Sequence, residues 1–190
     1  MFKTIVLISI ACLVLSNPAT SQITQGNWMI GGNASFNSDK IHSTNVTTTN
    51  IQLSPGIGYF IWDKFSAGLK FDIAFQKMGY PGPSNTGYIN TNHLIAGPFV
   101  RYYLLNEEKL LNLFVEGNYA YGTYKTSGYY AISDGRTSKY SFLAGPVVYF
   151  TNNVGLEFTV GYYNNQDISA HSTNKGFQMG IGLQVHLEKK

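Results

Sequence analysis

Five charged residues stand alone within long stretches that alternate apolar side chains with small or polar ones. Each charge falls in phase with Gly, Ser, Ala, Asn and Gln rather than with the apolar residues. Charges of both signs on one face could form an ion-selecting ring in a narrow water path, or salt bridges that fill an interior. We favour the salt-bridge interpretation, because a barrel of few strands leaves little room beyond its side chains. The five residues are Lys70, Asp72, Arg101, Glu116 and Glu157.

A repeated tetrapeptide offers a second possible chemistry. His-Ser-Thr-Asn occurs at residues 42–45 and again at 171–174. Two histidines in neighbouring loops could bind a metal ion such as zinc. No acidic residue or third histidine is fixed beside them, and such a repeat arises easily by coincidence in segments rich in Ser, Thr and Asn. The sequence therefore predicts no metal site, with His42 and His171 as weak candidates.

His93 and Ser141 fall on inward positions near the rim, where they could act as base and nucleophile in a lipid-modifying hydrolase or acyltransferase. A catalytic base of this kind needs a neighbouring group to orient it, and the sequence places no carboxylate beside His93. There is also no phosphate-binding loop, no Cys/His metal spacing and no nucleotide fingerprint. The sequence predicts no catalytic residues, no enzymatic activity and no cofactor.

The elements that must position these residues are β-strands. Period-two alternation, which is typical of strands, runs through nearly the whole chain after residue 27. Three tight connections, at 62–64, 104–109 and 151–153, alternate with four loops of more than ten residues, at 37–50, 77–90, 125–137 and 164–174. The pattern predicts eight strands of about ten residues, at 28–36, 51–61, 65–76, 91–103, 111–124, 138–150, 154–163 and 175–187.

Composition indicates which face of these strands is outside. Only 12% of the residues are charged, about half the usual share. A soluble barrel would need many charged residues on its outer face, but here the face opposite the apolar one is largely Gly, Ser, Ala, Asn and Gln. These small residues suit the interior of a narrow barrel, which leaves the apolar face toward lipid. A transmembrane barrel is therefore favoured over a soluble periplasmic one.

Aromatic residues near both strand ends are expected to form two belts at the membrane interfaces, as Trp and Tyr prefer. The belt beside the tight turns would hold Tyr59, Trp62, Tyr102, Tyr103, Tyr149 and Phe150, and the other Tyr119, Tyr121, Tyr124, Tyr162 and Tyr163.

The first residues have the form of a secretory signal peptide. Lys3 precedes an apolar run from Ile5 to Leu15, and Ala19-Thr20-Ser21 offers a cleavage site. We expect residues 1–21 to be removed and residues 22–190 to form one barrel domain. The only cysteine, Cys12, lies in this leader, so the mature chain would have no thiol chemistry. Removing Lys3 leaves 12 basic residues against 10 acidic ones, a net charge of +2 that indicates no nucleic-acid partner.

A short motif recurs along the chain. Ala96-Gly97-Pro98 returns as Ala144-Gly145-Pro146, and Pro55 lies in a looser copy. Each proline falls on the outward face near mid-strand, where it cannot donate a hydrogen bond to a neighbouring strand. We expect a local bulge or an unpaired carbonyl at each of the three prolines.

Four features of the chain together suggest a family: the leader, the eight alternating segments, the Ala-Gly-Pro strands and the segment Phe114-Val115-Glu116-Gly117. In these features the chain resembles the small outer-membrane β-barrel domain family of Gram-negative bacteria. These are OmpA/OmpX-like, "porin family" proteins, and the resemblance covers Gln22 to Leu187. It departs from the family where strand eight ends without an aromatic residue and where no peptidoglycan-binding domain follows. The resemblance implies location in the cell outer membrane, contact with outer-membrane lipid and insertion by the barrel-assembly machinery. It leaves open a structural or surface-interaction role, through an extracellular ligand bound by the loops, and a narrow passive pore for ions or small solutes.

Overall fold

The computed structural model describes residues 23–41, 46–80, 87–106, 110–128 and 132–188. These residues form a closed barrel in which each strand pairs antiparallel with the next and the last pairs with the first. The eight-stranded antiparallel all-β barrel expected from the alternation is confirmed. The strands are β1 (Trp28–Ile41), β2 (Val46–Trp62), β3 (Phe65–Tyr80), β4 (Gly87–Tyr103), β5 (Leu111–Gly128), β6 (Ser133–Tyr149), β7 (Val154–Asp167) and β8 (Ser172–Leu187).

The strands are longer than expected at one end of the barrel. We call this the loop end, and the end with the three tight connections the turn end. The predicted loops of more than ten residues are wrong, because β1 runs to Ile41 before β2 begins at Val46, and β7 runs to Asp167 before β8 begins at Ser172. Several of these extensions are polar on both faces, as in Thr47 to Asn50, so they carry no apolar alternation. The leader lies outside the described residues, and no helix in the described ranges is long and apolar enough to cross a membrane.

The apolar face of every strand points outward. Large apolar side chains such as Leu69, Phe71 and Phe158 are exposed on the outer surface. Their strand neighbours Lys70, Asp72 and Glu157 are buried inside. Because successive side chains of a strand alternate between faces, one register assigns every outward and inward residue. The barrel is therefore apolar outside and polar or aromatic inside.

The turn end is closed by the segment before β1. Ile23 is fully buried, and its carbonyl accepts a hydrogen bond of 2.7 Å from the Lys64 N–H in the β2–β3 turn. The Gln25 N–H donates to Asp63 Oδ1 at 2.8 Å. These contacts hold the segment across the lumen, and Ile23 packs with the buried aromatic residues beneath it.

The three mid-strand prolines interrupt pairing on one side only. Pro98 pairs in register with Leu69 of β3, but the β4–β5 ladder skips from Ala96 to Phe99 without a change of register. The β2–β3 ladder skips in the same way at Pro55, and the β6–β7 ladder at Pro146. The expected bulge is wrong, because an unchanged register needs no extra residue. The expected gap in pairing is present at all three prolines.

The pairing of β1 with β8 is also incomplete. It covers seven residue pairs, from Trp28 with Leu187 to Ala34 with Ile181. On their other sides, β1 pairs with β2 up to Ile41, and β8 pairs with β7 up to Ser172. Toward the loop end, both strands thus continue without pairing to each other, and we call this part of the barrel wall the seam.

Candidate functional site: the barrel lumen

The structure places all five sequence-selected charges in the lumen. Lys70 and Asp72 come from β3, Arg101 from β4, Glu116 from β5 and Glu157 from β7, and all are buried. Four of them meet in one network at the middle of the barrel, and the fifth, Asp72, lies nearer the loop end with another partner.

Arg101 is the centre of the network. Its Nη2 and Nε donate to Glu116 Oε2 at 2.7 and 2.9 Å, and its Nη1 donates to Glu157 Oε2 at 2.7 Å. Lys70 Nζ makes an ion pair with the other oxygen of Glu116. The guanidinium also stacks on the ring of Phe114, with Cζ 4.1 Å from the ring centroid. Each buried charge therefore has an opposite charge in direct contact, as a buried ion requires.

A neutral hydrogen-bonded group completes the network toward the turn end. The Tyr103 hydroxyl donates to Gln184 Oε1 at 2.6 Å, and Arg101 Nη1 donates to the same oxygen at 3.3 Å. Tyr103, on β4, and Gln184, on β8, thereby connect Arg101 to the far side of the barrel. Gln184 was missed from the sequence, although it follows the outward Leu183 directly.

A sixth lumen charge, Lys139 on β6, was missed from the sequence. Its Nζ lies 3.0 Å from Asp72 Oδ2, and both side chains are buried. The signal was available, because Ser141 was assigned to the inner face and Lys139 lies two residues away on the same strand. With this pair, three basic and three acidic residues balance in the lumen.

Large aromatic side chains fill the lumen between the network and the turn end. Phe60, Tyr103, Phe114 and Tyr149 are almost fully buried there and pack against Ile23. Their positions correct part of the expected aromatic belts, since Tyr103 and Tyr149 face inward. The adjacent residues Tyr102 and Phe150 are exposed, because neighbours on a strand point to opposite faces.

The loop half of the lumen is more open. A cavity that is open to solvent lies on the loop-end side of the central network. Its lining is mainly amide, hydroxyl and charged side chains, including Asn33, Gln52, Asp72, Asn118 and Lys139. Water can therefore reach the Lys139–Asp72 pair from the loop end, while the aromatic residues close the opposite end.

His93 and Ser141 have different partners. Ser141 Oγ donates to Asn118 Oδ1 at 2.8 Å, and the His93 ring packs on Tyr124 with 5.6 Å between centroids. Among the described residues, no hydrogen bond joins His93 to Ser141. Tyr124 was expected in the outer belt, but its contact with His93 places it on the inner face. Tyr163 is also inside, where Lys139 Nζ lies 5.7 Å from its ring centroid.

Tyr124 and Asp167 form a hydrogen-bonded pair beyond the apolar region of the barrel. The bond to Asp167 raises the pKa of the Tyr124 hydroxyl. Partial burial would raise the pKa of the Asp167 carboxyl, but hydrogen bonds outweigh it and lower that pKa below its usual value. The donors are the Ala170 N–H, at 2.8 Å, the Tyr124 hydroxyl and the Ser169 N–H. The Asp167 carboxylate is therefore held at the loop end, by Tyr124 and by the turn that follows β7.

The described residues contain no cluster of three or more His, Cys, Asp or Glu side chains that could hold a metal ion. His171 is exposed in the connection before β8, with a left-handed φ of 53°. His42 lies outside the described residues, so the two-histidine hypothesis remains untested.

Comparison with solved structures identifies the architecture. The N-terminal β-barrel domain of OprF from Pseudomonas aeruginosa is 13% identical, with a TM-score of 0.51 over 86% of this chain and 98% of that one. The outer membrane protein OprG from the same organism is 14% identical, with a TM-score of 0.50 over 87% and 98%. This chain has the fold of the small outer-membrane barrels. At these identities the likeness concerns the fold alone. No family model and no curated protein matches the sequence.

Proposed function

We propose that this protein is an integral outer-membrane barrel with a filled lumen, whose role is structural or is exerted through its external surface. The observation that carries the proposal is the reversal of burial, with apolar residues outside and paired charges inside. A water-soluble barrel would hide its apolar face in its core.

The height of the apolar outer face supports a membrane location. On β4 the outward residues are apolar from Leu94 to Tyr102, and on β5 from Leu111 to Tyr121. A strand that crosses a bilayer needs about 9–11 residues, and these segments have that length. The polar residues Asn92 and Thr123 follow directly on the same outer face, with Asn90 and Lys125 beyond them.

Packing in the lumen supports a non-conducting barrel. The central ion pairs leave no unbalanced charge to draw ions through, and the aromatic residues below them close the path to the turn end. A barrel of eight strands has an interior just wide enough for its side chains. We therefore infer that the charge network stabilises the barrel.

The test is conductance of the purified barrel in planar bilayers. Wild type should show no discrete channels, whereas a Phe114→Ala/Tyr149→Ala variant should conduct because it removes two rings that close the turn end. Phe71→Ala, which shortens an outward side chain, serves as the control and should remain silent. Regular channels in wild type would overturn the filled-lumen proposal.

The second candidate is a narrow passive pore. The solvent-continuous cavity favours it, because it leaves the Lys139–Asp72 pair, on the loop-end side of the central network, open to water. If wild type conducts, Asp72→Asn should shift its selectivity toward anions, and the lumen charges would then act as a selectivity ring.

Other parts of the proposal rest on the sequence. They are export by the N-terminal signal peptide, insertion by the barrel-assembly machinery, an extracellular partner and the lack of a nucleic-acid partner. The short connections between strands bear on the extracellular partner, because such a partner would contact the extended hairpins rather than long loops. A lack of catalysis also remains a prediction, and it is supported by the different partners of His93 and Ser141, which are Tyr124 and Asn118.

A further inference from the structure

The seam leaves two strand edges unpaired in the barrel wall. From Ser35 to Lys40 of β1, and from Lys175 to Gly180 of β8, the described residues have no partner across the seam. At about 3.3 Å per residue, six residues extend roughly 20 Å along the strand. Unpaired edges are costly in lipid, and closed barrels normally eliminate them. An opening at this position therefore needs an explanation.

The residues that would face each other across a closed seam supply one. The β1–β8 register pairs Ala34 with Ile181. Six further steps along each strand would set Lys40 directly opposite Lys175, and both side chains are exposed on the outer face. Like charges directly opposite on neighbouring strands are destabilising. Closure of the seam is thus opposed unless an anion lies between the two lysines.

Below the lysines the edges are apolar. Phe36, Met179 and Phe177 are 69, 77 and 81% exposed, against 43% for Phe71 and 64% for Phe142 on fully flanked strands. The three side chains lie at the loop-end limit of the apolar outer face, next to the polar extensions. About half the length of the seam is therefore apolar on its outer side, and the two lysines lie beyond this apolar half, toward the loop end.

The lumen cavity reaches the seam from inside. It is lined by Asn33 and Ser35 of β1 and by Gln178 and Gly180 of β8. The Gly180 carbonyl already accepts a hydrogen bond from the Thr159 hydroxyl at 3.3 Å on the lumen side. Polar side chains and water can thus hydrogen-bond to the unpaired strand edges from inside the lumen. Only the outer side of these edges then needs an apolar group against it.

We propose that the seam is a binding site for an anionic amphiphile, with its acyl chain against Phe36, Met179 and Phe177 and its anionic head between Lys40 and Lys175. The inference rests on the proposed membrane placement, which puts these residues at the boundary between lipid and water. The shared chemistry is an acyl chain that carries phosphate or carboxylate. A membrane lipid and a free fatty acid are the two sources of it.

Native mass spectrometry of the purified barrel in micelles tests the site. The ligands are dioleoyl phosphatidate, oleate and dioleoyl phosphatidylcholine, with inorganic phosphate to test the anion without an acyl chain. Each lysine near an anionic lipid contributes about fivefold to affinity, so wild type should prefer phosphatidate over phosphatidylcholine by about 25-fold. Retention of phosphatidate but not oleate assigns a lipid phosphate, and retention of oleate as well assigns the anionic acyl chain in general. Inorganic phosphate alone should not be retained.

The matched variants separate the seam from general surface charge. Lys40→Ser/Lys175→Ser should lose the preference for phosphatidate. Lys77→Ser/Lys125→Ser removes two outward lysines of β3 and β5, whose edges are paired, and should keep the preference within about twofold of wild type. Equal losses in both variants, or no preference in wild type, would overturn the proposal. A lipid-free dimer that Lys40→Ser/Lys175→Ser does not disrupt would also overturn it, by assigning the seam to a second copy of the chain.

A disulfide provides an independent readout of the same site. Continued register would set Phe36 opposite Met179, so the Phe36→Cys/Met179→Cys variant can bond only when the seam closes. Phosphatidate should slow its oxidation at least about fivefold relative to phosphatidylcholine. An unchanged oxidation rate argues against occupation of the seam.

Insertion into phosphatidylcholine vesicles, followed by protection from protease, separates the two proposals. Insertion without any preference for phosphatidate refutes the seam site and leaves the membrane barrel intact. Failure to insert refutes both.

Discussion

Arg101 shows how one residue can determine the charge balance of the lumen. It contacts both Glu116 and Glu157, whereas Lys70 contacts only Glu116. Replacement by methionine keeps much of the side-chain volume and leaves Glu157 without a basic partner. Loss of one member of a buried ion pair costs about 3–5 kcal/mol. Arg101→Met should lower the free energy of unfolding by that amount, measured by urea titration of the barrel in lipid vesicles.

The matched control restores neutrality. In Arg101→Met/Glu157→Gln, the Lys70–Glu116 and Lys139–Asp72 pairs remain, so that both remaining carboxylates of the paired lumen charges keep a basic partner. This double variant should recover more than half of the lost stability, because the unpaired charge rather than the missing contact causes most of the loss. A double variant no more stable than Arg101→Met would show that arginine packing on Phe114 matters more than charge balance.

A second residue-scale prediction concerns the loop end. The pKa of Asp167 is lowered by hydrogen bonds that include one from Tyr124, so its carboxylate adds stability above the unfolded pKa. That contribution is lost as pH falls through the lower, folded pKa. Tyr124→Phe should move the pKa of Asp167 upward and shift the loss to higher pH. Carbon-detected NMR of the carboxyl group measures it, and Tyr88→Phe, on the outer face, should leave the pKa unchanged.

The site could be predicted from the sequence only in part. Period-two alternation assigned Lys70, Arg101 and Glu116 to the inside, since the face of a residue depends only on its place along the strand. Which of these charges pair with each other could not be predicted from the sequence. Arg101 reaches Glu157 on a strand three places further along, and that contact depends on the stagger and tilt of the closed barrel.

At the scale of the strand, the glycine before each Ala-Gly-Pro proline has a specific steric role. The carbonyls of Tyr119 and Phe158 lie opposite Pro98 and Pro146, which have no N–H to offer them. A Cβ at Gly97 would overlap the Tyr119 carbonyl oxygen, and one at Gly145 would overlap that of Phe158. The motif thus sets two features side by side: a proline that interrupts the ladder, and a glycine whose lack of a Cβ lets the carbonyl of the facing strand lie close, as also at Gly68 and Gly122, which have no adjacent proline.

This account predicts different results for two glycines of the barrel wall. Gly97→Ala should cost about 3 kcal/mol, since backbone atoms of two strands must move apart. Gly117→Ala should change stability by less than about 0.5 kcal/mol, because its Cβ would lie 3.7 Å from the Phe142 ring, an ordinary contact. Urea unfolding measures both. Similar losses in the two variants would show that close approach at the proline is not the cause.

Strand ends were the least predictable elements. The sequence placed the start of β6 at residue 138, and the strand begins at Ser133. Its extension reads Ser-Asp-Gly-Arg-Thr, which has no apolar alternation and resembles a loop. Main-chain pairing with β5, from Thr126 to Gly122, carries the strand through this segment. Hydrogen bonding between neighbours, rather than side-chain pattern, thus determines where the strands end.

At the scale of the whole molecule, the strands are longer than the apolar band on the outer face of the barrel. Strands run from 14 to 18 residues, but only about 9–11 of these are needed to cross a bilayer. The remaining residues lie at the loop end and would project roughly 10–15 Å beyond the membrane, given the rise per residue and the usual strand tilt. Any partner of the external surface would therefore meet a polar collar of hairpins.

Two outward positions on one strand test this placement. Leu94 lies in the apolar region of β4, and Asn90, four residues nearer the loop end, lies in the collar. The mature chain expected from the leader has no cysteine, so a spin label at Leu94→Cys or Asn90→Cys reports one site without background. In vesicles, the label at residue 94 should be relaxed by oxygen, which concentrates in lipid, and the label at residue 90 by a water-soluble nickel complex. The same strand carries both labels, so a difference must come from depth rather than from local mobility. Nickel access at both positions would mean that water covers the apolar face, which would leave the barrel fold intact and remove its proposed place in the membrane.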